Sequence, residues 1–345
     1  MKPMRKRRAG CLAVLALAFV VLGGGTVGVW SFLFAPSVSA QPGQPVQIDI
    51  PKGSGSADIS VLLANSGVVT NPNMFRLKLR TPGTSGTLKA GTYDLTTGMD
   101  YDVVIAQLRE GPPIEYVTVT IPEGYTIEQT AKRVEEKTGI SAAGFLDLAE
   151  TGAKRFEYSF LKDIPGESLE GYLFPKTYRV RVGSNARDVI DLMLRQFAKE
   201  TSGLDLSYAA ERGLTLRDVV TIASMIERET CVQSDRPLVS SVIYNRLSKG
   251  MLLEIDATVQ YVVGNKPRLL YKDLRVDSPY NTYRNRGLPP GPIASPGALS
   301  LEAAAAPAQT GYLYYVLTGK DGSHSFAATG VEFAKLKAEA KKGLK

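Results

Sequence analysis

The sequence predicts an α+β protein on a single N-terminal transmembrane helix, with a small α+β module at 46–112 and a larger α+β domain at 114–345. Three observations predict it. An uncharged apolar run, Cys11 to Phe34, follows the cations Lys2, Arg5, Lys6, Arg7 and Arg8. A weak internal repeat has the signature strand, Pro-x-Gly turn, helix. The stretch Thr215 to Gly250 carries the start, stripe and stop signals of two consecutive helices.

Taken in order, residues 1–10 form a basic tail and 11–34 a run long enough to span a bilayer, which takes about 20 residues as a helix. Cations clustered before such a run place the N-terminus in the cytoplasm and the rest outside it. A cleaved signal peptide is the alternative, with the small residues Ser37 to Ala40 at the cleavage position. Cys11 does not mark a lipoprotein, because the apolar run follows it. Residues 35–45, rich in Pro, Ser and Gln, read as a linker.

The repeat pairs Val46-Gln-Ile-Asp-Ile-Pro-Lys-Gly53 with Val117-Thr-Val-Thr-Ile-Pro-Glu-Gly124. A helix follows each, closing near Gly67-Val68 or Gly139-Ile140, and then a phenylalanine, Phe75 or Phe145. Leu88 to Leu95 reads as a strand with a turn and Tyr101 to Arg109 as a short helix. Gly111-Pro112-Pro113 stops that helix and marks the domain boundary.

In the second domain, Thr215 and Asp218 have capping-box spacing. Val219, Ile222, Ala223 and Ile226 form the buried stripe, and the next position on it is Glu229. Asp235 reads as the N-cap of the following helix, Pro237 as its first turn and Gly250 as its stop. Glu227 lies about 200° around the helix from Glu229, so the two point to different sides. Tyr312 to Leu317 and His324 to Phe326 read as a hairpin and Val331 to Lys345 as a terminal helix.

Composition narrows the chemistry. The net charge is +7, five of it in the N-terminal tail, so the remainder is +2 and gives nucleic-acid binding little electrostatic support. The two cysteines lie in the apolar run and far outside it, and His324 is the single histidine. A zinc site of His and Cys is therefore not expected, nor is any cofactor, since phosphate loops and dinucleotide fingerprints are absent from the sequence.

Glu229 reads either as a helix-end carboxylate paired with a neighbouring arginine or as a general acid whose proton affinity is raised by apolar surroundings; Glu227 competes for that role. Tyr178, Tyr261 and Tyr283 suit a sugar groove, as aromatic faces with polar tips do, or core packing. Asn245, Arg246, Asp256 and Asn281 suit ligand hydroxyls and amides, or local turns and ion pairs. The Pro- and Gly-rich loop from Tyr280 to Pro296 is expected to form a groove wall opposite the Glu229 helix.

The segments LEGYLFPKTY (169–178), ASMIERET (223–230), RPLVSSVIYNRLSKGM (236–251), IDATVQY (255–261) and SPYNTYRNRGLPPGPIASPG (278–297), then YLYYV and HSF, together resemble the MltG/YceG-like family of endolytic murein transglycosylases, in order over about 46–340. The resemblance implies a LysM-like module at 46–112 and a catalytic domain at 114–345 that binds peptidoglycan glycan strands. It further implies cleavage of the β-1,4 MurNAc–GlcNAc bond to 1,6-anhydro ends, with no metal and one catalytic carboxyl, matched by Glu229 or by Glu227. Peptidoglycan synthases are the partners it suggests, and the inner membrane the location. Ala257 stands where the family usually has proline. A non-catalytic wall-binding scaffold and a hydrolysing muramidase are the alternatives.

Overall fold

The internal repeat folds as the same unit twice. The structure, a computed structural model, describes residues 41–80, 88–162, 164 and 166–343. The first copy runs β1 (Pro45–Ile50), α1 (Ser56–Asn65), α2 (Pro72–Lys78) and β2 (Gly91–Thr96), followed by α3 (Tyr101–Glu110). The second runs β3 (Tyr116–Thr120), α4 (Ile127–Thr138), α5 (Ala142–Thr151) and β4 (Thr177–Arg181). Each copy closes on itself as an antiparallel strand pair, β1 with β2 and β3 with β4. The glycines shared by the copies do the same work in both. Gly53 and Gly124 turn the chain after the strand at φ +87° and +74°, and Gly67 and Gly139 end the first helix at +73° and +74°. Phe75 and Phe145, the phenylalanines that align between the copies, are fully buried.

The chain divides between Ile114 and Glu115 into two compact units. The first has its own core of Ile48, Ile50, Leu63, Phe75, Tyr93, Leu95, Val104 and Leu108. The transmembrane segment expected at 11–34 and the basic tail lie outside the described residues. Among the described residues no helix is long and apolar enough to cross a membrane.

The second unit continues from β4 through α6 (Ala186–Thr201), α7 (Ser207–Ala210), α8 (Leu216–Glu229), α9 (Arg236–Ser248), α10 (Asp256–Val263) and α11 (Ala298–Ala305). The hairpin β5 (Tyr314–Leu317) and β6 (His324–Ala327) pairs as its turn pattern predicts, and α12 (Gly330–Gly343) closes the chain. Helix α8 is the centre of this unit. Its capping box forms, with Asp218 N donating to Thr215 Oγ1 and Thr215 N to Asp218 Oδ2. Every residue from Val219 to Ile226 is buried, where the stripe read from the sequence predicts one face. The reason is that α9, α10 and α11 all pack on it, and the proline-rich loop covers a further side.

That loop differs from its expected place. Its stretch 290–297 runs along α8 instead of facing it: Arg217 Nη2 donates to Pro290 O at 2.8 Å, Ile293 N to Ser224 Oγ at 3.1 Å and Gly297 N to Glu227 Oε2 at 3.0 Å. Where loop, helix and the 169–178 segment meet, only glycine fits. Gly171 has φ +86°, and a Cβ there would lie 2.4 Å from Pro292 Cβ and 3.2 Å from Val220 Cγ1. Gly171→Ala is therefore expected to lower unfolding free energy by at least about 2 kcal/mol in urea denaturation, from left-handed strain plus overpacking against a rigid ring. Gly139→Ala has the same strain but open space around it, and should cost only about 1–2 kcal/mol.

Candidate active site

Glu229 is the last residue of α8, placed there because Thr230 turns extended and hydrogen-bonds back to Ile226 O through both its N–H and its Oγ1. Its carboxyl accepts from Tyr315 Oη at 3.1 Å through Oε2 and from Ala257 N at 3.3 Å through Oε1. Tyr315 comes from β5 and Ala257 from the first turn of α10, so three elements converge on one carboxyl. Burial raises the Glu229 carboxyl above its ordinary value; the hydrogen bonds from Ala257 and Tyr315 oppose that shift, and the Asp256 charge adds to it. The residue still keeps part of its surface open to solvent. Burial also pushes the Tyr315 hydroxyl far up, so it remains a donor throughout the physiological range.

Glu227 points the other way, as the helical repeat requires. It pairs with Arg236 at 3.2 Å, both side chains being nearly inaccessible, and receives Gly297 N at the start of α11. Glu123 lies on the same side, its carboxyl raised by burial first and by the Glu227 charge second. Glu227 is thus an ion-paired strut between α8, α9 and α11.

The other expected residues separate into two groups. Near Glu229, Asp256 accepts from Tyr283 Oη at 2.6 Å, one residue from the amide that holds Glu229. Glu254, just before it, adopts φ 53°, a left-handed conformation costly for a side-chain-bearing residue, secured by Arg246 and by Thr282 O. The second group is bound to the protein's own backbone. Asn245 Nδ2 donates to Thr310 O and Tyr312 O, and Arg246 to Leu313 O, Leu252 O and Leu253 O, which fixes β5 and hence Tyr315 against α9. Asn281 is fully buried and donates to Leu274 O and Val276 O. Tyr178 is a core residue whose hydroxyl donates to Phe174 O at 2.6 Å.

Asp235 occupies the N-cap position of α9 but makes no cap bond. Its carboxylate instead accepts from His324 N at 2.7 Å and faces His324 Nδ1 at 3.0 Å. The His324 ring stands edge-on to Tyr315, centroids 5.4 Å apart, so this bond steadies the tyrosine from behind.

Tyr261 leads to a residue the sequence reading passes over. Its hydroxyl lies 3.5 Å from Glu170 Oε2, which also accepts from Ile127 N at 3.3 Å, and the Gly171 N–H faces the same carboxyl. Glu170 is 6 % exposed, and burial lifts its carboxyl from 4.5 to about 8. A single acid within the apolar run Leu169 to Phe174 is the signal that marks it.

The profile of the YceG-like family matches residues 48–339. The chain is 36 % identical over 309 residues to the endolytic murein transglycosylase of Bacillus subtilis (strain 168), covering 85 % of this chain and 84 % of that protein. It is 31 % identical over 317 residues to the endolytic murein transglycosylase of Streptococcus pneumoniae (strain ATCC BAA-255 / R6), covering 84 % of this chain but 57 % of that longer relative. The crystal structure of a yceG-like protein from Listeria monocytogenes superposes with a TM-score of 0.58 at 33 % identity, over 85 % of this chain and 99 % of that one.

A pH-dependent stability follows from Glu170. Its folded value lies above its unfolded one, so its contribution is fully present below about 4.5 and is lost as pH rises towards about 8. Relative to Glu170→Gln, the wild type should lose about 1.4 kcal/mol per pH unit within that window and nothing below it, as read by urea denaturation at successive pH values.

Proposed function

Because the chain belongs to the YceG-like family, we propose that it is a lytic transglycosylase that cuts peptidoglycan glycan strands, with Glu229 as its one catalytic acid and base. The observation that carries the assignment within the pair is the contrast in surroundings. Glu229 is desolvated, raised and held by neutral donors, whereas Glu227 is locked to Arg236. A general acid needs a raised proton affinity and access to the leaving oxygen; burial raises the Glu229 carboxyl and part of its surface stays open, whereas Glu227 is tied up in its ion pair with Arg236.

In this reading the protonated Glu229 gives its proton to the glycosidic oxygen as the bond from muramic acid C1 to that oxygen breaks. The resulting carboxylate takes the proton of the muramoyl 6-hydroxyl as O6 bonds to C1. The products are a free 4-hydroxyl on the leaving sugar and a 1,6-anhydro end, and the carboxyl returns to its starting state without consuming water. Tyr315 and Ala257 N stabilise the charge that appears on Glu229 midway. Tyr283 and Asp256, one residue along, are placed to meet the sugar on the same side. A hydrolysing muramidase is the second reading, favoured by Asp256, a second carboxylate beside the acid. The products separate the two: anhydro ends for the transglycosylase, reducing ends for the hydrolase.

Residues 46–112 are proposed as a LysM-like module that adds affinity for the strand. Residues 11–34 are proposed as a retained inner-membrane anchor that keeps 41–345 outside the cytoplasm, beside peptidoglycan synthases. The apolar run after five cations supports the anchor.

Glu229→Gln should lower cleavage of murein sacculi by at least about a thousandfold while sparing the fold. Tyr315→Phe should lower kcat by about tenfold or more with little change in KM, by leaving the nascent carboxylate with one donor. The reverse outcome, an active Glu229→Gln and a folded but inactive Glu227→Gln, would exchange the two roles. A periplasm-dependent reporter fused after Lys345 should be active in intact cells; activity only for a cytoplasm-dependent reporter would reject the orientation.

A further inference from the structure

Among the described residues one amino acid other than glycine holds a left-handed backbone, Glu254 at φ 53°. It stands three positions before Ala257, whose N–H donates to Glu229. We propose that Glu254 is a positioning residue for the acid: its left-handed turn, locked by Arg246, aims the first turn of α10 so that the Ala257 N–H meets the Glu229 carboxyl.

A Cβ crowds its own backbone in the left-handed region, so a residue that carries one relaxes out of it unless its surroundings hold it there. Two buried side chains do so. Arg246 Nη1 donates to Glu254 Oε2 at 2.9 Å and to Leu252 O and Leu253 O at 3.0 Å each. Thr282 O accepts from Glu254 N at 3.2 Å, and Thr282 Oγ1 accepts from Ile255 N at 3.0 Å. Thr258 Oγ1 then closes the first turn of α10 onto Ile255 O at 2.7 Å. The same guanidinium reaches the other donor to the acid, because Arg246 Nε donates to Leu313 O at 2.6 Å, two residues before Tyr315. Both groups that hold Glu229 are therefore tied to one buried cation, and Glu254 is the strained link between that cation and Ala257. The Glu254 side chain is 47 % exposed, so a direct contact of its carboxylate with the sugar is the competing role. That role would need the carboxylate itself; positioning needs the backbone angle. For turnover the proposal rests on the transglycosylase reading, and for geometry it stands on these hydrogen bonds alone.

The test compares Glu254→Ala, Glu254→Gly and Glu254→Gln in the full chain in detergent. Glycine adopts this backbone angle without strain, and the glutamine amide oxygen can still accept from Arg246, whereas alanine has neither way out. Glu254→Ala should lower kcat on murein glycan strands by about tenfold or more, the worth of one hydrogen bond to a charged group, with KM nearly unchanged. Glu254→Gly and Glu254→Gln should stay within about threefold of the wild type, since each keeps the Ala257 bond. The second readout is the midpoint of the Glu229 carboxyl by ¹³C NMR, which a merely structural role would not move. The Ala257 bond favours the ionised form, and the other groups facing the carboxyl, Asp256, Arg228, Tyr315 and Tyr283, are common to all variants. The midpoint should therefore rise in Glu254→Ala alone, with the Ala257 amide proton moving in step. A loss in Glu254→Gly equal to that in Glu254→Ala would overturn the proposal and favour a direct role for the carboxylate. An unmoved midpoint or wild-type turnover in Glu254→Ala would overturn it as well. If Glu254→Ala does not fold, Glu254→Gly decides: wild-type turnover and midpoint keep the proposal, and a tenfold loss, about 1.4 kcal/mol, ends it. Should the wild type leave no anhydro ends, the activity reading fails, and the midpoint and the Ala257 amide decide the positioning by themselves.

Discussion

The arrangement depends on one constraint: α8 is buried on every side, and a carboxyl is fixed at its end. A helix with solvent on one face would let Glu229 turn outward and keep its proton affinity ordinary. Here α9, α10, α11 and the proline-rich loop enclose the helix, so the side chain meets Tyr315 and Ala257 before it meets bulk water. Desolvation then wins over two hydrogen bonds that favour the ionised form, and the carboxyl rises. The opposing donors are useful because they act most strongly when the carboxylate forms. An acid with no such donors would hold its proton but would be slow to part with it.

Three carboxyls of this unit sit against helix N-termini, and they behave differently for physical reasons. Glu227 meets the start of α11 at Gly297 and has Arg236 as a counter-ion. Glu229 meets the start of α10 and has a neutral tyrosine as its second donor. Glu170 meets the start of α4 with Tyr261 at longer range and the Gly171 N–H beside it. Helix dipoles and free N–H groups favour negative charge in all three places. The direct ion pair with Arg236 makes Glu227 a strut, whereas at Glu229 and Glu170 burial is the largest influence and lifts both carboxyls. The supporting shell is built mainly from backbone carbonyls: Asn245 and Arg246 hold β5, Asn281 holds the loop, and His324 on Asp235 holds the ring beside Tyr315.

What the sequence discloses follows the range of the signals. Local chemistry was legible: the capping box of Thr215 and Asp218, the repeated Pro-x-Gly turns, the hairpin, and the phase difference that sends Glu227 and Glu229 to different sides. Helix α6 carries in Asn185 and Asp188 a capping box as plain as that of α8. Long-range chemistry was not legible. That Tyr315 crosses 86 positions to reach Glu229, or that Asp235 serves His324 instead of its own helix, depends on tertiary packing that no periodicity encodes. Polar side chains in the motifs invite a ligand role, yet Asn245, Arg246 and Asn281 are oriented by carbonyls of their own chain. The loop's place along α8 was hidden for the same reason, since Ser224 and Gly171, which receive it, look unremarkable as letters.

The central claim is that Glu229 keeps its proton at a pH where a solvated glutamate has lost it. A pH titration of the side-chain carboxyl carbons in ¹³C-glutamate-labelled protein measures this directly, with the Glu229 signal assigned by its disappearance in Glu229→Gln. The account predicts a Glu229 midpoint clearly above the ordinary glutamate value of about 4.3, with a Tyr315→Phe background moving it higher still as one donor to the carboxylate is removed. A midpoint at or below the ordinary value would mean that the donors outweigh burial, and Glu229 could not then serve as the acid described here.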